Sequence, residues 1–299
     1  MNIELIKKRF PSSDGKHKLY CKIYKPDGNP KGLMHVVHGM IEHIGRYDAF
    51  MREMAENGYI CYGFDNLGHG HTVNSKDELG YIGGWKYMLA DVRRFTAEMK
   101  KECGNLPCIL MGHSMGSFIV RSTVTPKLWD KLIIMGTGGP NCASGAGIAI
   151  LKLIIKIKGK KSVSPIGERL LFDAYNIKFP ENDPHAWFTK IKSVRDKYHA
   201  DELCSFFFTN DSIKDLVEMQ AYCNRRTWFK SKNLILPILI VSGKDDPVGN
   251  FGKSVRTVYN RLISEGKNAE LHLYKNCRHE ILNDTCRKEV ISDILNFIE

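Results

Sequence analysis

Short apolar runs recur along this chain at regular intervals, and the first three each end in Gly or beside a Gly, Asp or His. They are Leu33 to Val37, Tyr59 to Phe64 and Cys108 to Met111. Helical patterns fill the gaps, roughly Arg46 to Asn57 and Trp85 to Cys103. Lys131 to Gly136, Ile238 to Val241 and Leu271 to Tyr274 continue the series of strands, and Val255 to Ser264 and Arg287 to Phe297 read as closing helices. Ahead of them Leu19 to Tyr24 alternates as a half-exposed strand does, before a turn at Pro26-Asp27-Gly28-Asn29-Pro30. Strands alternating with helices predict an α/β fold with a doubly wound, mostly parallel sheet. In such a sheet the chemistry sits just past the carboxyl ends of the strands.

One stretch breaks the rhythm. From 141 to 230 no short apolar strand is clear, and the segment is helical in pattern and rich in aromatics: Phe172, Tyr175, Trp187, Phe188, Phe206, Phe207, Phe208 and Trp228. We expect a helical cap inserted into a core made of residues 1–140 and 231–299. Hydrophobic residues make up 43 % of the 299 and charged residues 26 %. That is ordinary globular usage and excludes a disordered, collagen-like or coiled-coil chain.

The longest apolar run, Leu234 to Val241, contains Pro237 and reads as a buried strand. It falls well short of the roughly 18 residues that a membrane span needs. Met1 to Phe10 lacks an apolar signal core. The 9 cysteines are scattered without a CxxC pair. The expectation is therefore a cytoplasmic protein with reduced thiols. A net charge of +11 invites a nucleic-acid partner. The basic residues are spread along the chain and no nucleic-acid motif appears, so none is expected. Solubility and attraction to anionic surfaces account for the charge.

Gly112-His113-Ser114-Met115-Gly116 is G-x-S-x-G, placed directly after an apolar run and before the helix-like stretch Ser117 to Val124. That context suits a nucleophilic serine. A strained strand-to-helix turn exposes the hydroxyl, and the flanking glycines let the backbone pack closely. Ser114 then needs a base and an acid. His279 follows the last strand by a short loop. Asp246 follows the strand Ile238 to Val241, and the order Ser114, Asp246, His279 is the order such triads take on this kind of sheet. Asp245 competes for the acid position. Asp246 is preferred because it immediately precedes the turn-forming Pro247. An oxyanion hole needs two backbone N–H groups. Met115, next to the serine, and Met40, in the loop after Leu33 to Val37, are the candidates.

Other constellations carry less. His69-Gly70-His71 suggests a metal pair, but its flanks read as a structural loop. Gly136-Thr137-Gly138-Gly139 is not a dinucleotide motif, and His279-Glu280 lacks a second His. No metal or cofactor is expected. Ile148 to Pro165 carries five lysines (Lys152, Lys156, Lys158, Lys160, Lys161) and no acid. Ile148, Leu151, Ile154 and Ile155 recur near helical spacing, while Leu153 and Ile157 blur the stripe. Two readings stand: a cap helix packing its apolar face inward, or a lid helix making weak contact with an anionic membrane surface. Phe206, Phe207 and Phe208 either line an acyl tunnel as substrate-binding residues or form cap core.

With these residues in hand, the chain resembles the α/β-hydrolase superfamily. More narrowly it resembles the monoacylglycerol lipase and lysophospholipase branch, which is also grouped with the serine aminopeptidases (S33). His38-Gly39-Met40-Ile41-Glu42-His43-Ile44-Gly45-Arg46-Tyr47 is similar to that branch's oxyanion loop, HGxxEHxxRY. Asp65-Asn66-Leu67-Gly68-His69-Gly70-His71-Thr72 is similar to its D-x-x-G-H-G-x-S segment, with Thr72 where Ser is usual. Gly243-Lys244-Asp245-Asp246 and Arg278-His279-Glu280 are similar to its acid and base regions, and the first supports Asp246 over Asp245. Met40 stands where a smaller residue is commoner. The resemblance implies two-step acyl transfer on a monoacyl lipid ester, without a cofactor. The alternatives are a short-chain esterase or thioesterase, an aminopeptidase-type hydrolase and, from another class, a catalytically silent binding protein.

Overall fold

The computed structural model describes residues 2–164, 175–176 and 178–299. Its eight strands are β1 (Ile3–Pro11), β2 (Lys18–Pro26), β3 (Gly32–Val37), β4 (Tyr59–Phe64), β5 (Cys108–His113), β6 (Lys131–Met135), β7 (Ile238–Gly243) and β8 (Ala269–Tyr274). They form one sheet in the order β1-β2-β4-β3-β5-β6-β7-β8. β1, β2 and β4 pair antiparallel, and every pairing from β4 through β3 to β8 is parallel. Every residue of β3, β4, β5 and β7 is buried. Both faces of those strands are therefore covered, which is why they read as unbroken apolar runs.

Helices cover the two faces. α1 (Asp48–Glu56) lies early in the chain, followed by α2 (Trp85–Cys103) and α3 (Met115–Thr123). Among the described residues four helices fall between β6 and β7: α4 (Ser144–Lys158), α5 (Lys192–Ala200), α6 (Asn210–Cys223) and α7 (Arg226–Phe229). The last two are α8 (Lys253–Ser264) and α9 (Arg287–Ile298). Alternation along each strand sorts the core into two layers. Leu33, Ile238 and Ile240 pack with residues of α2, α3 and α8. Met34, Val36, Leu239 and Val241 pack with residues of α1 and α9. Phe95 of α2 centres an aromatic cluster, with Tyr62 at 5.5 Å and Phe64 at 5.6 Å between ring centroids.

The edge strand β1 is absent from the sequence expectation. Its residues alternate between half-buried and exposed, and Lys7, Lys8 and Arg9 interrupt any apolar run. It is held by its ladder to β2, from Ile3 opposite Pro26 to Pro11 opposite Lys18. Of the run Leu234 to Val241 only the part after Pro237 is strand, since proline lacks the N–H a ladder uses. One cysteine pair departs from the reduced-thiol expectation. Cys277 and Cys286 are joined as a disulfide, with Cα atoms 6.4 Å apart.

The stretch between β6 and β7 contains helices. Among the described residues its one β feature is an isolated bridge between Val163 and Thr209. Phe172 and Pro165 lie outside the described residues. Polar contacts tie the insertion to the sheet domain: Trp85 N–H to Asp215 (3.0 Å), Arg121 to the carbonyl of Cys223 (2.6 Å) and Tyr198 O–H to the carbonyl of Ile41 (2.8 Å). α4 lies along α6. Its stripe Ile148, Leu151, Ile154 and Ile155 is half-buried. The two residues that blur that stripe belong to a second apolar face: Ile150, Leu153 and Ile157 are 60 %, 59 % and 72 % exposed. No helix among the described residues is long and apolar enough to cross a membrane.

Candidate active site

Ser114 sits between the end of β5 and the first residue of α3, with φ 54° and ψ −120°. A side chain at positive φ is strained, and the surrounding backbone enforces it. Its N–H donates to the carbonyl of Met135 on the neighbouring strand (3.0 Å). Gly116 allows α3 to start hard against the end of β3, since a Cβ there would press on the carbonyl oxygens of Val37 and His38. That contact brings Ser114 beside the loop that begins at His38. Met40, from this loop, and Ser114 line one cavity. Met115 opens α3, so its N–H belongs to the first turn, where helical N–H groups lack partners within the helix.

Asp246 is fully buried in the loop after β7. Its Oδ2 lies 2.9 Å from His279 Nδ1. Ser242 Oγ donates to the same oxygen at 3.2 Å, and the Val248 N–H donates to Oδ1 at 2.9 Å. Asp245 turns the other way and pairs with Lys190 at 3.3 Å. Asp246 thus fixes Nδ1 of His279 as the donor. Nε2 is left buried without a hydrogen-bond partner among the described residues. His279 and Ser114 share the same cavity wall. The structure therefore brings Ser114, Asp246, His279, Met40 and Met115 to one end of the sheet.

A buried network behind His279 is not apparent in the sequence. His113 packs against His279 with ring centroids 4.7 Å apart and the rings tilted, and its Nε2 meets the His279 carbonyl at 3.2 Å. Tyr47 O–H donates to Glu42 at 2.8 Å and lies 2.9 Å from His113 Nδ1. A His113 that donates from both nitrogens satisfies all these partners. Burial works against charge on this ring, but the hydrogen bond and charge of Glu42 prevail and raise its pKa. Burial likewise works against an ionised Glu42, and the His113 hydrogen bond and the Arg46 charge hold its pKa well below the usual range. Arg46 forks onto Glu280 with both contacts at 2.7 Å and reaches Glu42 at 3.0 Å.

The cavity above Ser114 measures about 560 Å³ and is walled mainly by apolar and aromatic side chains, among them Trp187, Phe188 and Phe206. Its size fits a small organic ligand. Phe206 and Phe207 stand on its wall. The tunnel reading of Phe208 is corrected: that ring is buried against His69, 5.4 Å between centroids, and is not among the cavity's lining residues. Tyr198 and His185 line the cavity too and were not singled out from sequence. Burial, helped by the nearby His199, lowers the His185 pKa to about 4.

A parallel sheet carrying a strained serine turn, with an acid–base pair on the loops after two later strands, defines an α/β-hydrolase. The chain matches the family described as "Serine aminopeptidase, S33" over residues 28–286. It belongs to that family and is a serine hydrolase by class. It is 25 % identical over 292 residues to the monoacylglycerol lipase of Mycolicibacterium smegmatis, covering 94 % of this chain and 92 % of that one. It is 28 % identical over 165 residues to human monoglyceride lipase, a match that spans 54 % of this chain and 53 % of the human one. Among solved structures, a thermostable carboxyl esterase from Bacillus coagulans in complex with glycerol superposes with a TM-score of 0.92 at 26 % identity. That match covers 99 % of this chain and 98 % of the esterase.

Proposed function

We propose that this chain hydrolyses carboxylic esters of monoacyl lipids through Ser114, His279 and Asp246. One observation carries the reading. His279 is anchored to Asp246 through Nδ1 at 2.9 Å and keeps Nε2 unpartnered on the wall of an apolar cavity that also contains Ser114. In the proposed reaction His279 takes the Ser114 proton as Oγ attacks the ester carbonyl. The Met40 and Met115 amides hold the oxyanion. The tetrahedral intermediate then expels the alcohol, which takes its proton from His279. Water attacks the acyl-enzyme by the same route and releases the fatty acid. Asp246 orients the imidazole and stabilises its cation.

Between the two monoacyl classes, the lining favours a monoacylglycerol over a lysophospholipid. Arg46, the guanidinium on the cavity wall, already forks onto Glu280 and contacts Glu42, both buried. An anionic phosphate would have to break that pairing, whereas an uncharged glycerol does not. The relatives named monoacylglycerol lipase support the same choice. The test is hydrolysis of monoacylglycerols of graded chain length, set against matching lysophospholipids, short-chain esters and aminoacyl anilides. We expect the first to be fastest and Ser114→Ala to abolish turnover without lowering the melting temperature. Unchanged turnover in pure Ser114→Ala protein overturns the mechanism, and faster anilide cleavage overturns the substrate class.

The cap helix α4 supports a second element of this reading, docking on an anionic lipid surface. Ile150, Leu153 and Ile157 are exposed, and Lys152, Lys156 and Lys158 flank them on the same helix. Replacing the three apolar residues by serine should abolish sedimentation with anionic vesicles. Turnover of a soluble ester should not change.

A further inference from the structure

Among the described residues, two groups of metal-ligating side chains stand beside the cavity, apart from Ser114 and its partners. In the first, His43, Asp201 and Cys204, the imidazole is fully used. Its Nδ1 accepts from the Gly45 N–H at 3.2 Å and its Nε2 meets Asp201 at 2.8 Å. The second group is different. Asp183, His185 and His199 each offer a ligand atom within 4.8 Å of the others. His199 Nε2 lies 3.1 Å from Asp183 Oδ1. His185 Nδ1 is buried and has no hydrogen-bond partner among the described residues.

The carboxylate of this second group is held from behind. Arg195 Nε donates to Asp183 Oδ2 at 2.6 Å, and Arg195 Nη1 donates to the Thr189 carbonyl at 2.6 Å. The His185 N–H donates to Asp183 Oδ1 at 2.8 Å. Outer partners of this kind orient a ligating carboxylate. His185 and His199 both line the cavity. Two imidazoles and one carboxylate form a ligand set that suits zinc, with the remaining position left to water.

We propose that Asp183, His185 and His199 bind a zinc ion on the cap wall of the cavity above Ser114. Tetrahedral zinc with bonds of about 2.0–2.1 Å keeps its ligand atoms about 3.4 Å apart. The Asp183–His199 pair is already that close. The His185 ligand atom lies within 4.8 Å of the other two, and the partly exposed His199 on α5 has room to adjust toward it. The ion would join the segment that carries Asp183 and His185 to α5. Its water would project into the cavity, so zinc should slow hydrolysis by narrowing the path to Ser114. The guanidinium of Arg195 lies on the far oxygen of the carboxylate and weakens the attraction for a dication. The site should therefore hold zinc more weakly than one without that guanidinium. It does not depend on which ester the enzyme prefers.

The experiment is zinc chloride titration of the full chain by calorimetry, with wild type, His199→Ala, His185→Ala and Cys204→Ser. We expect one zinc per wild-type chain and the same for Cys204→Ser. Both histidine variants should bind more than about tenfold more weakly. Zinc should also raise the wild-type melting temperature and leave that of His199→Ala unmoved, a readout independent of activity. His199 is partly exposed, so its replacement tests the site without emptying the core. Wild-type affinity in both histidine variants, loss of binding in Cys204→Ser, or no zinc bound by the folded wild type overturns the proposal.

Discussion

The sheet end and the wall built from residues between β6 and β7 face each other across one cavity and are built by different means. On the sheet edge, backbone places the chemistry. Ser114 is held at positive φ between β5 and α3, and Gly116 lets that turn press against the end of β3. On the cap side, side chains do the placing: Tyr198 O–H on the Ile41 carbonyl, Arg278 on the Ala186 carbonyl, Arg195 on Asp183. A geometry fixed by strand ladders survives most side-chain changes. A wall fixed by a few hydrogen bonds changes shape with each one. Selection can thus alter what enters the cavity while leaving the proposed reacting groups in place.

The largest expected effect is on the sheet side. Asp246→Asn should lower kcat by about 10⁴-fold, since an amide no longer holds His279 in the tautomer that leaves Nε2 free. Steady-state kinetics with a soluble ester reads this, and a loss under tenfold means that Asp246 is not the orienting acid. Next comes a matched pair of phenylalanines. Phe95→Ala, in the aromatic cluster of α2, should cost about 3–5 kcal/mol of stability. Phe207→Ala, at the cavity mouth and 63 % exposed, should cost less than about 0.5 kcal/mol. Denaturant melts of the two variants measure the contrast directly, and equal losses would erase the distinction between core and cap.

Acid should act on both parts of the molecule, since His185 on the facing wall is also kept neutral by burial. His35 and His69 are wholly buried, and desolvation lowers both pKa values from 6.5 to about 3. As pH falls below 6.5 the unfolded chain takes up protons that the folded chain refuses, so stability is lost on acidification. Each histidine should remove about 2 kcal/mol by pH 5. His113 runs in the opposite sense. Its raised pKa makes its contribution complete below 6.5, and that contribution fades as pH rises through the folded value. Melting temperatures at pH 7 and pH 5 test the sum, and a flat profile would falsify the buried neutral histidines. The smallest effect belongs to the cap. Tyr198→Phe removes one hydrogen bond, worth about 1 kcal/mol. It should speed proteolysis within 141–230 while leaving the main melting transition nearly unmoved.

What could be read in advance follows the same division. β4 and α2 are bounded to the residue, because a strand covered on both faces reads as an unbroken apolar run and a long amphipathic helix shows its period. β1 escapes because one of its faces is only half-buried and Lys7, Lys8 and Arg9 break any apolar run. Asp246 was separable from Asp245 through the neighbouring Pro247. The pair Arg46–Glu280 was not legible: it joins residues 234 positions apart. Phe206, Phe207 and Phe208 look equivalent in sequence, and only the structure shows that the third is buried against His69, away from the cavity wall. The Cys277–Cys286 link carried no motif, since its spacing of 9 matches none of the recognised pairs.

That link has a topological consequence. Residues 277 to 286 form a closed covalent ring, and His279 is a member of it. A protease that cuts the chain once inside the ring adds a water to the mass but releases nothing, because both new ends remain joined through sulfur. The imidazole stays tethered within reach of Asp246 after a nick that would free it in a linear loop.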